Sequence, residues 1–269
     1  MNKSALFILA FFSVVMMTPP SLAQPRQNLL LVYEDKPNSN RFLGFGTAIP
    51  KENPGLTVEL LRMTAQKLGI NLKFQRMPWK RCEYMVQHGL AHGMFHASYN
   101  RERTQYALYP MKDGKPDPSR AVFTQSYHFY AAKQRHVEWD GLELRNHGAK
   151  PVGITLGYSV AKDLDELDIR YVEFADQETG LISLVEDRVG ALAGLANMMD
   201  PAIKESSHRF QTVEKLFPPI RTKPYYVVFS HTLAKTDPTL PDRFWNTMKK
   251  MEGSAAFKKR IRFYQQAPT

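Results

Sequence analysis

Residues 54–98 read PGLTVELLRMTAQKLGINLKFQRMPWKRCEYMVQHGLAHGMFHAS, and the changes of period inside this stretch decide the fold. Val58, Leu61, Ala65 and Leu68 recur at helical spacing, and Gly69 is a helix stop. INLKFQRMP (70–78) then alternates apolar and polar side chains as a strand does, up to Pro78. WKRCEYMVQH (79–88) returns to a helix closed by Gly89, and MFHAS (94–98) is a further strand. Upstream, LLLVYE (29–34) is a short apolar run bounded by the turn-rich DKPNSN, the pattern of a buried strand. Strand, helix, strand, helix, strand predicts βαβ units in a parallel sheet.

The same stretch holds His88, His92 and His96 at four-residue spacing. Such spacing gathers three imidazoles only on a continuous helix. Gly89 and Gly93 interrupt that helix, so a helical metal face is not expected. On the predicted strand His96 points to one face while Phe95 and Ala97 point to the other. These histidines are read as packing or surface residues.

A second block begins near Tyr127. PVGITLG (151–157) predicts a strand ending in a glycine turn, and YSVAKDLDEL a helix. IRYVEFA (169–175) is a strand, DQETGLISLVED a helix, VGALAGL (189–195) a strand, and 196–207 a helix. YYVVFS (225–230) adds one strand more. The tail LPDRFWNTMKKMEGSAAFKKRIRFYQQ is helical, with anchors at Phe244, Met248, Met251, Phe257, Ile261 and Tyr264. Two alternating α/β sets and a returning tail predict two lobes around a cleft, where ligands sit at the carboxyl ends of strands.

The chain has 269 residues, 43% of them hydrophobic, and a net charge of +10, so a substantial core is available and global disorder is not expected. The basic residues are dispersed. Their densest cluster, KKRIR (258–262), falls on a helix-like segment and reads as a solvated face. With no zinc-finger, helix-turn-helix or RNA-binding aromatic pattern, nucleic acid is not an expected partner. The start, MNKSALFILAFFSVVMMTPPSLA, has one lysine, an apolar run over 5–17, a Pro19-Pro20 break and small residues at Ser21 and Ala23. That layout predicts a cleavable signal peptide, residues 1–23, and export to the periplasm. The single cysteine, Cys82, is read as a buried small hydrophobe.

With these elements in place, the chain resembles the family 3 periplasmic solute-binding proteins of ABC importers. PGLTVELLRMTAQKLGINLKF (54–74) is similar to the family's opening glycine, amphipathic helix, Leu-Gly stop and strand. MPWKR (77–81) with the helix to Gly89 resembles its Pro-Trp segment and L-x-x-G turn. In SYNRERTQYALYP (98–110), Arg103 and Tyr109 stand where the family has an arginine followed six residues later by an aromatic. VGITLGYS and LVEDRVGAL resemble the second lobe's glycine turn and helix-to-strand passage. The resemblance spans about 29–265. It departs at His92 and Gly190, where aspartate is usual, and at Asn100, where threonine is. No acid occurs through 191–196, and Asn197 is the nearest polar side chain.

The resemblance implies a two-lobed type II periplasmic binding protein fold, with lobe one at 24–126 and 218–269 and lobe two at 127–217. It implies that Arg103 anchors an anionic group of the ligand, a role that a guanidinium's planar donor fork suits. Ser98 and Asn100 would donate to the same group or cap their own turn. Gly157, Tyr158 and Ser159, at the start of a helix, would seat an anion on free N–H groups. Gln177 stands before another helix as a contact or a cap. Trp79 and Tyr33 would form a stacking wall, or for Trp79 part of the core. Glu34 is the best-placed acid for a cationic group.

The function so implied is reversible capture of a small polar solute, an amino acid or organic anion, by lobe closure on hinges near 123–127 and 212–218. Delivery would be to an ABC permease in the inner membrane, by a monomer without metal or cofactor. A ligand-presenting sensor subunit for a membrane receptor is the alternative. A dehydratase-like enzyme is a third reading. It would need an acid beside Arg103, for which Glu34, His92 and His96 are the candidates. No nucleophile elbow, HExxH or P-loop is present.

Overall fold

The computed structural model describes residues 27–266. The expected signal peptide lies outside the described residues. In chain order the principal strands are β1 (Asn28–Glu34), β2 (Asn71–Met77), β3 (Gly93–Ser98), β4 (Phe123–Ala132), β5 (Val152–Thr155), β6 (Tyr171–Phe174), β7 (Ala191–Leu195) and β8 (Arg221–Ser230). The helices that matter here are α1 (Leu56–Leu68), α2 (Trp79–Gln87), α3 (Val160–Glu166), α4 (Gln177–Val185), α5 (Ala196–Glu205), α6 (Leu240–Glu252) and α7 (Ala255–Gln266).

One sheet runs through both lobes in the order β6-β5-β7-β4-β8-β3-β1-β2. Each lobe holds a parallel triplet, β2-β1-β3 in one and β6-β5-β7 in the other. The long strands β4 and β8 join the triplets. They pair antiparallel with one another from Arg221↔Tyr127 to Tyr225↔Phe123, while β4 pairs β7 and β8 pairs β3. The chain therefore crosses between lobes at 123–127 and 221–225, and the second crossing lies C-terminal to the expected 212–218. β4 lacked a strand signal because its last six residues are buried on both faces, which erases the period-2 alternation. The first half of β8 was hidden by polar residues and Pro224.

α1 is bounded by two glycines. Gly55 has φ 108°, and a Cβ there would sit 2.5 Å from Arg41 O. Gly69 closes the helix in the left-handed region and donates to Ala65 and Gln66 carbonyls. The buried stripe of Leu56, Val58, Leu60, Leu61 and Ala65 packs with Phe244, Trp245 and Met248 of α6 and Phe257 of α7 on one face of the first triplet. α2 covers the opposite face through Cys82 and Val86. Cys82 is fully buried, and burial pushes its thiol pKa up. Arg260 of the basic run is not simply solvated, because it pairs with Glu59 of α1 through both carboxylate oxygens.

β3 corrects one expectation. The register shifts between Tyr226 and Val227, so that Ala97 faces Tyr226 and Phe95 faces Val227. His96 is the extra residue of a β-bulge, with φ 64°. Its ring packs on Phe42 at 4.6 Å and Phe123 at 4.2 Å, on the side where Phe95 also lies, whereas Ala97 faces the other core. α2 ends at Gln87, so His88, His92 and His96 share no helix face. Among the described residues no helix is long and apolar enough to cross a membrane.

Candidate functional site

The carboxyl ends of β1 and β3 face the turn after β5, and six of the expected residues meet there. Glu34, Trp79, Ser98, Arg103, Tyr158 and Ser159 line one cavity of about 30 Å³, with Asn38, Phe42, His96, Gln125, Tyr127, Leu195 and Tyr225. Asn100 and Gly157 line the adjoining solvent-open crevice of about 550 Å³.

Arg103 starts a short 3-10 turn after β3 and is 4% exposed. Its Nε donates to Glu83 Oε1 at 2.8 Å, Nη1 to Ser98 O at 3.0 Å, and Nη2 across the cleft to Gly157 O at 3.2 Å. The guanidinium also lies over the Trp79 ring at 5.2 Å. Burial alone would lower its pKa, but Tyr109 and Glu83 outweigh burial and hold it above the ordinary arginine value. Glu83 was not anticipated, although its signal was present. Trp79 and Glu83 stand four apart on α2 and share a face, so one helix supplies both the ring and the carboxylate that Arg103 meets.

Glu34 ends β1 with 7% exposure. Both of its carboxyl oxygens accept from Tyr158 Oη in the other lobe, at 2.9 and 2.8 Å. Burial pushes its pKa up to about 7, and Lys36 and Tyr158 limit the rise. Ser98 Oγ donates to Ser159 Oγ at 2.8 Å, a further bond between lobes. Lys223, also unanticipated, donates to Ser159 O at 3.0 Å and pairs with Asp163 of α3. Its pKa is lowered by burial, which Asp163 offsets only in part. Lys36 reaches Ala175 O at 2.6 Å.

The remaining expected residues fall into place as follows. Gly157 has φ 76°, in the left-handed region that favours glycine, and the nearest neighbour of a Cβ there would be the flexible side chain of Lys80. Asn100 Oδ1 accepts from Glu102 N at 2.9 Å, which is the turn-capping alternative. Gln177 Nε2 approaches Tyr158 Oη at 3.3 Å, while Asp176, not Gln177, caps α4. Tyr33 is corrected: it forms no cleft wall. It precedes Glu34 by one residue on a strand, so it faces the opposite side of the sheet, packed on Phe42, Phe74 and Phe95.

No protein-family profile matches the chain, and no curated protein matches it in sequence. Solved structures do match. A histidine kinase sensor domain with similarity to periplasmic binding proteins aligns at TM-score 0.69 and 12% identity, over 90% of this chain and 97% of that one. The arginine-, lysine-, histidine-binding protein ArtJ from the thermophilic bacterium Geobacillus stearothermophilus aligns at TM-score 0.68 and 12% identity, over 90% and 97%. An ancestral arginine-binding protein bound to arginine aligns at TM-score 0.67 and 17% identity, over 89% and 98%. The chain has the two-lobed α/β fold of the type II periplasmic binding proteins.

Proposed function

We propose that this chain is a periplasmic solute-binding protein that captures a small polar, carboxylate-bearing solute by lobe closure and delivers it to an ABC importer. The observation that carries the reading is Arg103: a buried guanidinium fixed to lobe one by Glu83 and Ser98, and bonded to lobe two through Gly157. When the lobes part, the Gly157 bond is released and the freed donors face the cleft. A solute oxygen takes the carbonyl's place, and closure then desolvates the pair. In this reading lobe one is 24–126 with the chain beyond the 221–225 crossing, lobe two is the part between the crossings, residues 1–23 direct export, and the protein works as a monomer without catalysis. The similarity to solved amino-acid-binding proteins supports capture. The similarity to a kinase sensor domain supports a second reading, presentation of the solute to a membrane receptor.

A thermal-shift screen of residues 24–269 against amino acids, dicarboxylates, peptides and sugars tests the proposal, because a ligand that binds only the folded state raises its melting temperature. A stabilising solute whose effect disappears in Arg103→Ala is the expected result. Stabilisation by uncharged sugars alone, or one unchanged in the variant, would overturn the assignment of Arg103. Copurification with a permease or with a receptor separates the two destinations.

A further inference from the structure

We propose that Gln125, with the indole N–H of Trp79, receives an oxygen acceptor of the captured solute, and that the Asn38–Asn197 contact between the lobes aims Gln125 for that task. The inference rests on the solute-binding reading and adds two donors and a ligand class to it.

Gln125 lies on the crossing strand β4, is 5% exposed, and lines the cleft cavity. Its Oε1 accepts from Asn38 Nδ2 at 3.3 Å. Asn38 Oδ1 in turn accepts from Asn197 Nδ2, at the start of α5 in the other lobe. Each link uses a carbonyl oxygen and passes an amide N–H onward, and the last N–H, Gln125 Nε2, has no partner. Turning the Gln125 amide alone would set two N–H groups against each other. Turning any one of the three amides alone breaks a link, and the relay is complete only when the lobes meet.

Trp79 Nε1, on a side chain 7% exposed, is the second buried N–H in this cavity without an acceptor. Buried donors are nearly always paired because leaving one unpaired is costly. Both side chains line the same cavity, so an acceptor oxygen of the solute held there would satisfy them. The charges define the other end of the solute. Arg103 is matched by Glu83 and Lys223 by Asp163, whereas Glu34 meets only the Tyr158 hydroxyl and, among the described residues, has no cation in ion-pair range. The groups around Glu34 are Lys36 and Asp35 on its own segment, Arg76 on β2, Cys82 on α2 and Tyr158 from lobe two. A solute with both an ammonium and an oxygen acceptor fits this arrangement. An anion without an amine does not.

The test is titration calorimetry of the protein with arginine, glutamine, glutamate, agmatine (amine without carboxylate) and succinate (carboxylate without amine). At least one amino acid is expected to bind more tightly than agmatine and succinate. Gln125→Met should weaken it about tenfold, one hydrogen bond's worth, and Asn197→Leu about threefold. In the double variant Asn197→Leu should have no further effect, a coupling that a merely structural role would not produce. If Gln125→Met does not fold, Gln125→Glu, which retains the acceptor for Asn38 but lacks the donor when ionised, carries the same expectation. Affinity retained within about twofold, or additive variants, would overturn the role of Gln125 while leaving solute binding intact. Binding of succinate alone would overturn the ligand class. If none of the five probes binds the unaltered protein, the inference falls, while the thermal-shift screen decides the solute-binding reading separately.

Discussion

Arg76 and Arg103 are both buried arginines of lobe one stacked on aromatic rings, yet their surroundings differ in kind. Arg76, 1% exposed, donates only to carbonyls: Glu34 O at 3.2 Å and the Leu43 and Ala48 carbonyls at 2.9 Å each. Every partner belongs to the same lobe. Burial lowers its pKa despite Tyr33 and Asp35 nearby. Arg103 has a carboxylate partner, a raised pKa and one bond that leaves its lobe. Neutral carbonyls from one lobe make a staple, which here ties the 43–48 loop to the end of β1. A charge matched at its base and extended across the cleft makes a clasp whose outer bond can open without stranding the cation.

Exchanging each arginine for methionine separates the two roles. Arg76→Met should cost the most stability, about 4 kcal/mol, through loss of three buried hydrogen bonds, with solute affinity little changed. Arg103→Met should cost about 3 kcal/mol, because Glu83 loses its buried cation and keeps only the exposed Lys80 and the Tyr106 hydroxyl, and should abolish binding. Urea denaturation and calorimetry on the same preparations measure both quantities. If Arg76→Met removed binding at full stability, the distinction between staple and clasp would fail.

Glu34 touches both arrangements, since Arg76 holds its carbonyl while Tyr158 holds its carboxyl. With a folded-state pKa near 7, it keeps a proton in the native protein that the unfolded chain has released above the usual carboxylate range. Its contribution to stability is therefore full at low pH and declines as pH rises from about 4.5 to 7, by up to about 3 kcal/mol. Glu34→Gln should flatten that part of the melting-temperature profile. An unchanged slope would place the titration elsewhere.

The smallest effect expected is for Tyr158→Phe, about 1.5 kcal/mol at pH 8, where Glu34 is ionised and loses its one hydroxyl donor. At pH 5 the loss should shrink. Melting curves at both pH values decide it, and an equal loss at both would show that the carboxylate charge is not what Tyr158 serves.

Much of lobe one was legible because its signals are local. Gly69, Pro78 and Gly89 punctuate elements whose period is plain, and α1, β2 and α2 fall where periodicity put them. Arg103 stood out by motif position, Glu34 by its place at a strand end, and Tyr158 and Ser159 by the glycine turn before them. Tyr33 was misplaced although the alternation of β1 contained the answer. Glu34 and Tyr33 are neighbours on a strand and cannot face the same cleft. β4 and the bulge at His96 were not legible, since burial on both faces and one inserted residue remove the alternation that reveals a strand.

The order of strands and helices and the two α/β sets were readable from the sequence, because they depend on spacing within a few residues, whereas the candidate cleft residues came from resemblance to a family motif. Only the tertiary structure decided that Glu83 neutralises Arg103, that Tyr158 meets Glu34 from 124 residues away, and that Gln125 is left with a free N–H. Each of those outcomes depends on which groups the folded sheet brings within about 3 Å of one another, and no local period encodes that distance.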